Sequence, residues 1–414
     1  MADENASRSK SSSKADEKAL PTTVLKGMKY LGRVFHLMQP LAASGCDRDQ
    51  AGNRQLLFSQ YAGLVLLGLF NPTMQSLQGL SQLSGLRRVQ KILGGPRASV
   101  GSLSESVRVF DPQLLQPIFD ELLSQLPRKQ ESRIPGKSSN TAGLIPTELM
   151  QKLLAVDGSS LRALPQIVAA AGISRSAKWR LHLHFDVHRE LPEHVTLTPD
   201  ETGGDDDERS VLARNLQAER CYLMDRGYER YSLLNDIVLA KSDYVCRAQH
   251  RSVTLIESRK LSPEALEARV ISDEIVRLPG VDHLVRRVTI QRSPQERRRT
   301  DRPNSDTIVL LTNLIDVPAE IIAALYELRW TIELFFRFFK HVLGCHHLLS
   351  NKPEGILIQI YCSLIAALLM SLTLGESVGR RGFELICLYL QGWAEEDELL
   401  DGLRRLQQKK KNSK

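Results

Sequence analysis

The sequence predicts a mixed α/β core set between two helical regions, and three observations carry that prediction. Between about residues 151 and 250, short runs that alternate apolar and polar side chains are separated by helix-like patterns. Upstream, from about residue 22 to 126, apolar residues recur at steps of three and four with no alternation. Beyond Pro353 the helical pattern returns and includes the one long apolar run, Ile356 to Leu374.

Taken in order, residues 1–21 are polar, rich in Ser, Lys and Glu, and are expected to be a disordered tail with no signal peptide. Residues 22–126 are expected to form a helical domain, and Arg87, Arg88, Lys91 and Arg97 near a turn make it compatible with DNA binding. One helix spans Gln55 to Phe70 and is closed by Asn71-Pro72, and Ser76 to Leu93 supplies one or two more. A Gly-Gly-Pro break follows, with Ser102 or Ser104 as N-cap of a short helix, and Asp111-Pro112 starts a helix through Leu126. Residues 127–150 read as a linker.

The core is expected over 151–350. Its strands are Lys152 to Val156, ending at Asp157-Gly158-Ser159, then Trp179 to Asp186 and His194 to Thr198. The acidic loop Pro199 to Glu208 reads as solvated, because its carboxylate spacing fits a calcium loop poorly. A helix, the strand Arg220 to Met224 ending at Asp225, the helix Tyr231 to Leu239 and the strand Asp243 to Gln249 follow. A β-rich insertion is expected over 250–317, and a helical C-terminal region over 351–414 with a final helix Ala394 to Gln408.

The chain has 414 residues, enough for two or three domains, and 42% of them are hydrophobic, as in an ordinary water-soluble protein. A net charge of +7 points weakly to a polyanionic partner. The basic residues are clustered: Arg87, Arg88, Lys91 and Arg97; Arg286, Arg287, Arg292, Arg297, Arg298, Arg299 and Arg302; and Lys409 to Lys411, a distribution that favours phosphate contacts. Six scattered cysteines with no CxxC read as reduced thiols of a cytosolic protein, and His346 and His347 as structural. Gln359, Ser363, Ser371 and Thr373 interrupt the apolar run, so it reads as a buried core helix and not as a membrane span.

Three strands, helix, strand, helix, strand is the element order of a ribonuclease-H-like fold, in which the first strand is central and the fourth lies beside it. Asp157 and Asp225 would then meet, and a third carboxylate is expected from a later helix. The stretch Tyr326 to Lys340 supplies it: as one helix, Tyr326, Arg329, Glu333, Arg337 and Lys340 form a single polar stripe on an otherwise apolar surface. A stripe of that kind either lines a site or is a row of internal ion pairs around Glu333. Three carboxylates from two strand ends and a helix suit two Mg²⁺ ions, with Mn²⁺ able to substitute.

The spacing of Tyr326, Arg329, Glu333 and Lys340 resembles the Y-R-E-K signature of a group of bacterial insertion-sequence transposases of the DDE class. Asp157-Gly158-Ser159, Asp225-Arg226-Gly227-Tyr228 and the run Lys178 to Asp186 resemble the same group. The resemblance implies Asp157, Asp225 and Glu333 as a metal-binding catalytic triad, and Tyr326, Arg329, Trp330 and Lys340 as contacts to the transposon end. It also implies a β-insertion, over Arg251 to Leu311, that in relatives helps form or hold a terminal DNA hairpin. A homodimer on paired ends of double-stranded DNA, acting in the bacterial cytoplasm, is expected on the same ground. The reading is cut-and-paste transposition; the alternatives are a ribonuclease-H-like nuclease or resolvase, and a catalytically inactive DNA-binding derivative.

Overall fold

The computed structural model describes residues 35–41, 48–49, 54–71, 74–126, 145–162, 178–199, 204–249, 253–292, 306–345, 348–374 and 379–412. The tail 1–21, most of the linker, Arg297 to Arg302, and His346 and His347 lie outside them.

Among the described residues nine strands form one sheet in the order β3-β2-β1-β4-β5-β9-β8-β7-β6. They are β1 (Leu153–Arg162), β2 (Lys178–Asp186), β3 (Leu191–Pro199), β4 (Cys221–Met224), β5 (Asp243–Ala248), β6 (Thr254–Ser258), β7 (Val270–Arg277), β8 (Val285–Gln291) and β9 (Thr307–Thr312). β1 is antiparallel to β2 and parallel to β4, which is parallel to β5. β1 is therefore the middle one of the first five strands, β3-β2-β1-β4-β5, with β4 beside it.

The helices, in chain order, are α1 (Phe58–Leu69), α2 (Leu77–Ser84), α3 (Arg87–Leu93), α4 (Val100–Ser106), α5 (Gln116–Ser124), α6 (Thr147–Lys152), α7 (Glu208–Arg214) and α8 (Tyr231–Leu239). They continue with α9 (Pro263–Glu267), α10 (Ala319–Leu328), α11 (Trp330–His341), α12 (Pro353–Leu374), α13 (Arg380–Leu390) and α14 (Glu396–Asn412). Ser99, not Ser102 or Ser104, caps α4 by accepting from Ser102 N at 3.0 Å.

The three parallel strands are apolar on both faces because both are covered. Leu153, Ala155, Cys221, Leu223 and Val245 join the large core formed with α10, α11 and α12. Leu154, Val156, Tyr222, Met224 and Tyr244 join a second core with Leu212 of α7 and Leu233, Leu234 and Ile237 of α8. The ends of β1 and β4 are thus held between two hydrophobic layers.

Within the segment 250–317, β9 pairs with both β5 and β8, so the insertion extends the same sheet. A strand edge left at β5 would expose unpaired backbone groups, and β9 satisfies them. One expectation needs correction: the N- and C-terminal helical regions are not separate. α12 is apolar all round and must be covered all round; 89% of its most apolar window is buried. Tyr361 on α12 donates to Gln116 Oε1 of α5 at 2.5 Å, and α12, α1 and α5 share one core with the sheet.

Part of the arginine cluster proves structural. Arg286 is 2% exposed; its guanidinium donates to Asp273 Oδ1 and Oδ2 at 2.8 Å each, and to the carbonyls of Leu314, Ile315 and Val317. It binds β8 to β7 and to the turn before α10. Arg287 pairs with Glu274 at 2.6 Å nearer the surface. Arg87, Arg88, Lys91 and Arg97, by contrast, are all exposed on and beside α3. Removing one partner of a buried pair leaves an uncompensated charge, so Asp273→Ala is expected to lower the unfolding free energy by about 3–5 kcal/mol. Arg287→Ala is expected to lower it by less than about 1 kcal/mol. Urea denaturation of the two variants checks the contrast; equal losses would mean that Arg286 does not hold the turn.

Candidate active site

The parallel register between β1 and β4 runs from Leu153↔Cys221 to Val156↔Met224, and ends there. Asp157 and Asp225 are each the next residue, so the register brings these two positions to neighbouring strand ends. β1 itself does not end at Asp157, as the sequence suggested. It continues to Arg162 paired with β2, Asp157 standing opposite Leu183. The alternation toward a β2 partner outlasts the pairing with β4, a distinction that a single strand's pattern does not carry.

Asp157 Oδ1 accepts from the N–H of Gly158 at 2.8 Å. Among the described residues it has no ion pair within 4 Å. Burial pushes its carboxyl up to about 7, with Glu208 and Glu333 adding to the rise and the Gly158 bond and Arg329 opposing it. Asp225 is reached by Tyr326, whose hydroxyl lies 3.4 Å from Oδ1, and by Arg247 at 3.7 Å.

The stretch Tyr326 to Lys340 is not one helix. α10 ends at Leu328 and α11 begins at Trp330, with Arg329 at the junction. There Arg329 N bonds Tyr326 O at 3.2 Å and Ile332 N bonds Arg329 O at 3.3 Å, both tight i→i+3 links. The hydroxyl of Thr331 takes Leu328 O at 2.7 Å, a local bond that competes with helix continuation. The stripe nevertheless converges. α11 packs on β1 and β2, Phe335 lying 5.3 Å from the Phe185 ring, and Lys340 Nζ donates to Ser160 O at 2.8 Å.

Arg329 is 9% exposed and donates to Glu333 Oε1 at 2.6 Å. Its guanidinium also lies 5.7 Å from the Tyr326 ring centre. Burial works against its charge, but Tyr326, Glu333 and Asp225 outweigh burial and hold its pKa above the ordinary arginine value. Its Nε is buried without a hydrogen-bond partner. The ion-pair reading of the stripe is therefore half right: Arg329 does pair with Glu333, whereas Lys340 reaches the β1 backbone and Arg337 is exposed. Trp330 is 43% exposed, so the aromatic after Arg329 faces outward.

Sequence reasoning missed a fourth carboxylate. Glu208 opens α7 and its Oε1 accepts from Arg180 Nη1 at 2.7 Å. Its charge raises the pKa of both Asp157 and Tyr228 behind the larger effect of burial. Reading the acidic loop as uniformly solvated hid it. The available signal was its place directly after Asp207, which caps the helix and so frees Glu208 to turn inward.

All these donors are carboxylate oxygens, the hard ligands that Mg²⁺ and Mn²⁺ take. The charge crowded around Asp157 is the environment that a divalent cation relieves. Among the described residues, however, no three His, Cys, Asp or Glu side chains are grouped closely enough to chelate one ion as they stand. Glu333 is turned to Arg329.

The family model described as "Transposase DDE domain" matches residues 148–369, which is more than half of the chain and includes all three carboxylates of the expected triad. The chain belongs to this family. DDE transposases use divalent metal ions, in keeping with the all-oxygen donor set. The chain is 29% identical over 198 residues to a putative transposase, y4zB, of Sinorhizobium fredii, covering 46% of this chain and 52% of that protein. It is 26% identical to the putative transposase InsL for insertion sequence element IS186A of Escherichia coli, covering 51% and 65%. It is 23% identical to a probable transposase for insertion sequence element IS5377 of Geobacillus stearothermophilus, covering 59% and 67%. The matches thus span between half and two thirds of these relatives' lengths. A piggyBac transposase synaptic complex with hairpin DNA superposes with a TM-score of 0.39 at 11% identity over 93% of this chain and 82% of that chain, too low to carry weight.

The raised Asp157 has a consequence for the stability of the DDE domain. A carboxyl whose folded pKa exceeds its unfolded value contributes stability below the unfolded value and loses it as pH rises through about 7. Asp157→Asn is therefore expected to melt several degrees above the wild type at pH 8 without metal, the gap closing near pH 4. Thermal melts across that range check it; a gap independent of pH would contradict the burial of a charged Asp157.

Proposed function

We propose that the chain is a DNA transposase of the Y-R-E-K group, which cleaves the strands at transposon ends and joins them to target DNA by the cut-and-paste route. The observation that carries this reading is the Val156↔Met224 register, which puts Asp157 and Asp225 next to each other under the helix bearing Glu333. The strand order supports a ribonuclease-H-like core, β1 central and antiparallel to β2, with β4 and β5 parallel beside it.

Asp157, Asp225 and Glu333 would hold two Mg²⁺ ions, or Mn²⁺ in their place. When bound, such ions supply activation of a water or 3′-hydroxyl and stabilisation of the leaving oxygen. The chain's own residues orient and grip. Arg329, fixed at the helix junction, holds Glu333 until the site is loaded, and its unpartnered Nε then offers a donor to a phosphate. Tyr326 and Arg247 steer Asp225. Lys340, on the Glu333 helix, and the outward-facing Trp330 at its start are assigned to the backbone and bases of the transposon end. The partner is double-stranded DNA, terminal inverted repeats and target alike, bound by a homodimer on paired ends in the bacterial cytoplasm.

Asp157→Ala, Asp225→Ala and Glu333→Ala are each expected to abolish nicking of a duplex carrying the terminal inverted repeat while leaving its binding within about threefold of wild type. Mg²⁺ or Mn²⁺ should support the reaction and Ca²⁺ only binding. Full nicking in EDTA would overturn the mechanism. Lys340→Ala is expected to weaken binding and reduce the salt dependence of affinity by about one counterion. An unchanged slope across a salt series would confine Lys340 to its bond with Ser160.

A further inference from the structure

The function proposed above gives Glu208 no part, yet its position is tightly specified. Asp207 already caps α7 by accepting from Ser210 N at 2.8 Å, so Glu208 is not needed to hold the helix end. It turns instead toward the two aspartate turns. Oε1 accepts from Arg180 Nη1 at 2.7 Å, and Arg180 belongs to β2, where it stands opposite Ser160 of β1. The carboxylate is thus anchored to the rigid part of the sheet.

The two glycines of the aspartate motifs show what the carboxylate touches. A Cβ on Gly158, which directly follows Asp157, would stand 2.5 Å from Glu208 Oε1 and 3.0 Å from its Cδ. A Cβ on Gly227, two residues after Asp225, would stand 3.6 Å from Oε2. One side chain therefore fills the space between the two turns, with one carboxylate oxygen against each. The parallel pairing of β1 and β4 stops at Val156 and Met224, so no strand pairing joins the turns beyond that rung.

We propose that Glu208, held by Arg180, is a positioning residue whose carboxylate is the spacer that fixes the separation of the Asp157 and Asp225 turns. The inference rests on the reading of those aspartates as catalytic. It explains why position 158 is glycine on steric grounds: a larger residue would displace the spacer. Because reacting groups misplaced by about 1 Å can lose on the order of 10²-fold in rate, a spacer of this kind acts on the chemical step and not on DNA affinity.

The test is single-turnover cleavage of a duplex carrying the terminal inverted repeat, at saturating protein and Mg²⁺. End affinity in Ca²⁺ and the melting temperature are followed in parallel. Glu208→Ala is expected to slow cleavage by on the order of 10²-fold with affinity within about twofold of wild type. Glu208→Gln keeps the length and an oxygen for Arg180, and is expected to recover to within about fivefold of wild type. Gly158→Ala should also slow cleavage, and the double variant Gly158→Ala, Glu208→Ala should be no slower than the slower single, since both disturb one contact.

A wild-type rate for Glu208→Ala overturns the proposal. So does a Glu208→Gln variant as slow as Glu208→Ala, which would show that the negative charge itself is used, as by a cation ligand. Additive losses in the double variant would also overturn it. Should Glu208→Ala fail to fold, a folded Gly158→Ala that cleaves at the wild-type rate would do the same. Asp157→Ala runs alongside: if that variant still cleaves at the wild-type rate, the assignment of the site has failed and not the spacer.

Discussion

The buried guanidinium of Arg329 is the interaction on which the site depends. Glu333 comes from α11 and Asp225 from the end of β4, and Arg329 is bonded to the first and electrostatically coupled to both. A half-buried carboxylate on α11 without that partner would lose its charge-assisted hydrogen bond. The helix break has the same centre. If α10 and α11 were continuous, Arg329 would sit mid-helix; at the junction its main chain makes the tight turn while its side chain reaches Glu333 one turn on.

What the sequence revealed follows from what local pattern encodes. The alternation in Trp179 to Asp186 and the apolar runs before Asp157 and Asp225 are set by which faces are buried, so strands and their order were legible. The stripe of Tyr326, Arg329, Glu333 and Lys340 was legible because helical spacing survives a one-residue junction. The junction was not, because the deciding bond, Thr331 to Leu328 O, looks no different in sequence from any exposed threonine. Lys340 illustrates the limit: its spacing placed it on the right side of the helix, but its partner is a backbone carbonyl 180 residues away.

Long-range structure was the least visible. Arg286 carried the same sequence signal as its neighbours in a basic cluster, and only the fold turned it into a buried clamp on Asp273. The two helical regions looked separable because all of residues 127–350 lies between them. α12 unites them because an all-apolar helix has to be enclosed, and the helices of the first region supply the enclosure.

Charge balance at the end of the sheet connects these points. Three of the four carboxylates there have an arginine each: Glu333 with Arg329 at 2.6 Å, Glu208 with Arg180 at 2.7 Å and Asp225 with Arg247 at 3.7 Å. Among the described residues Asp157 has none within that reach, and it is the one whose pKa burial drives up to about 7. The arginines offset three of these carboxylates and leave Asp157, on β1 between β2 and β4, without one. A cation gains most where charge is uncompensated and the ligand cannot retreat. In the proposed site Asp157 would therefore be where a bound cation has most to offset, and Glu333 would have to leave Arg329 to join it.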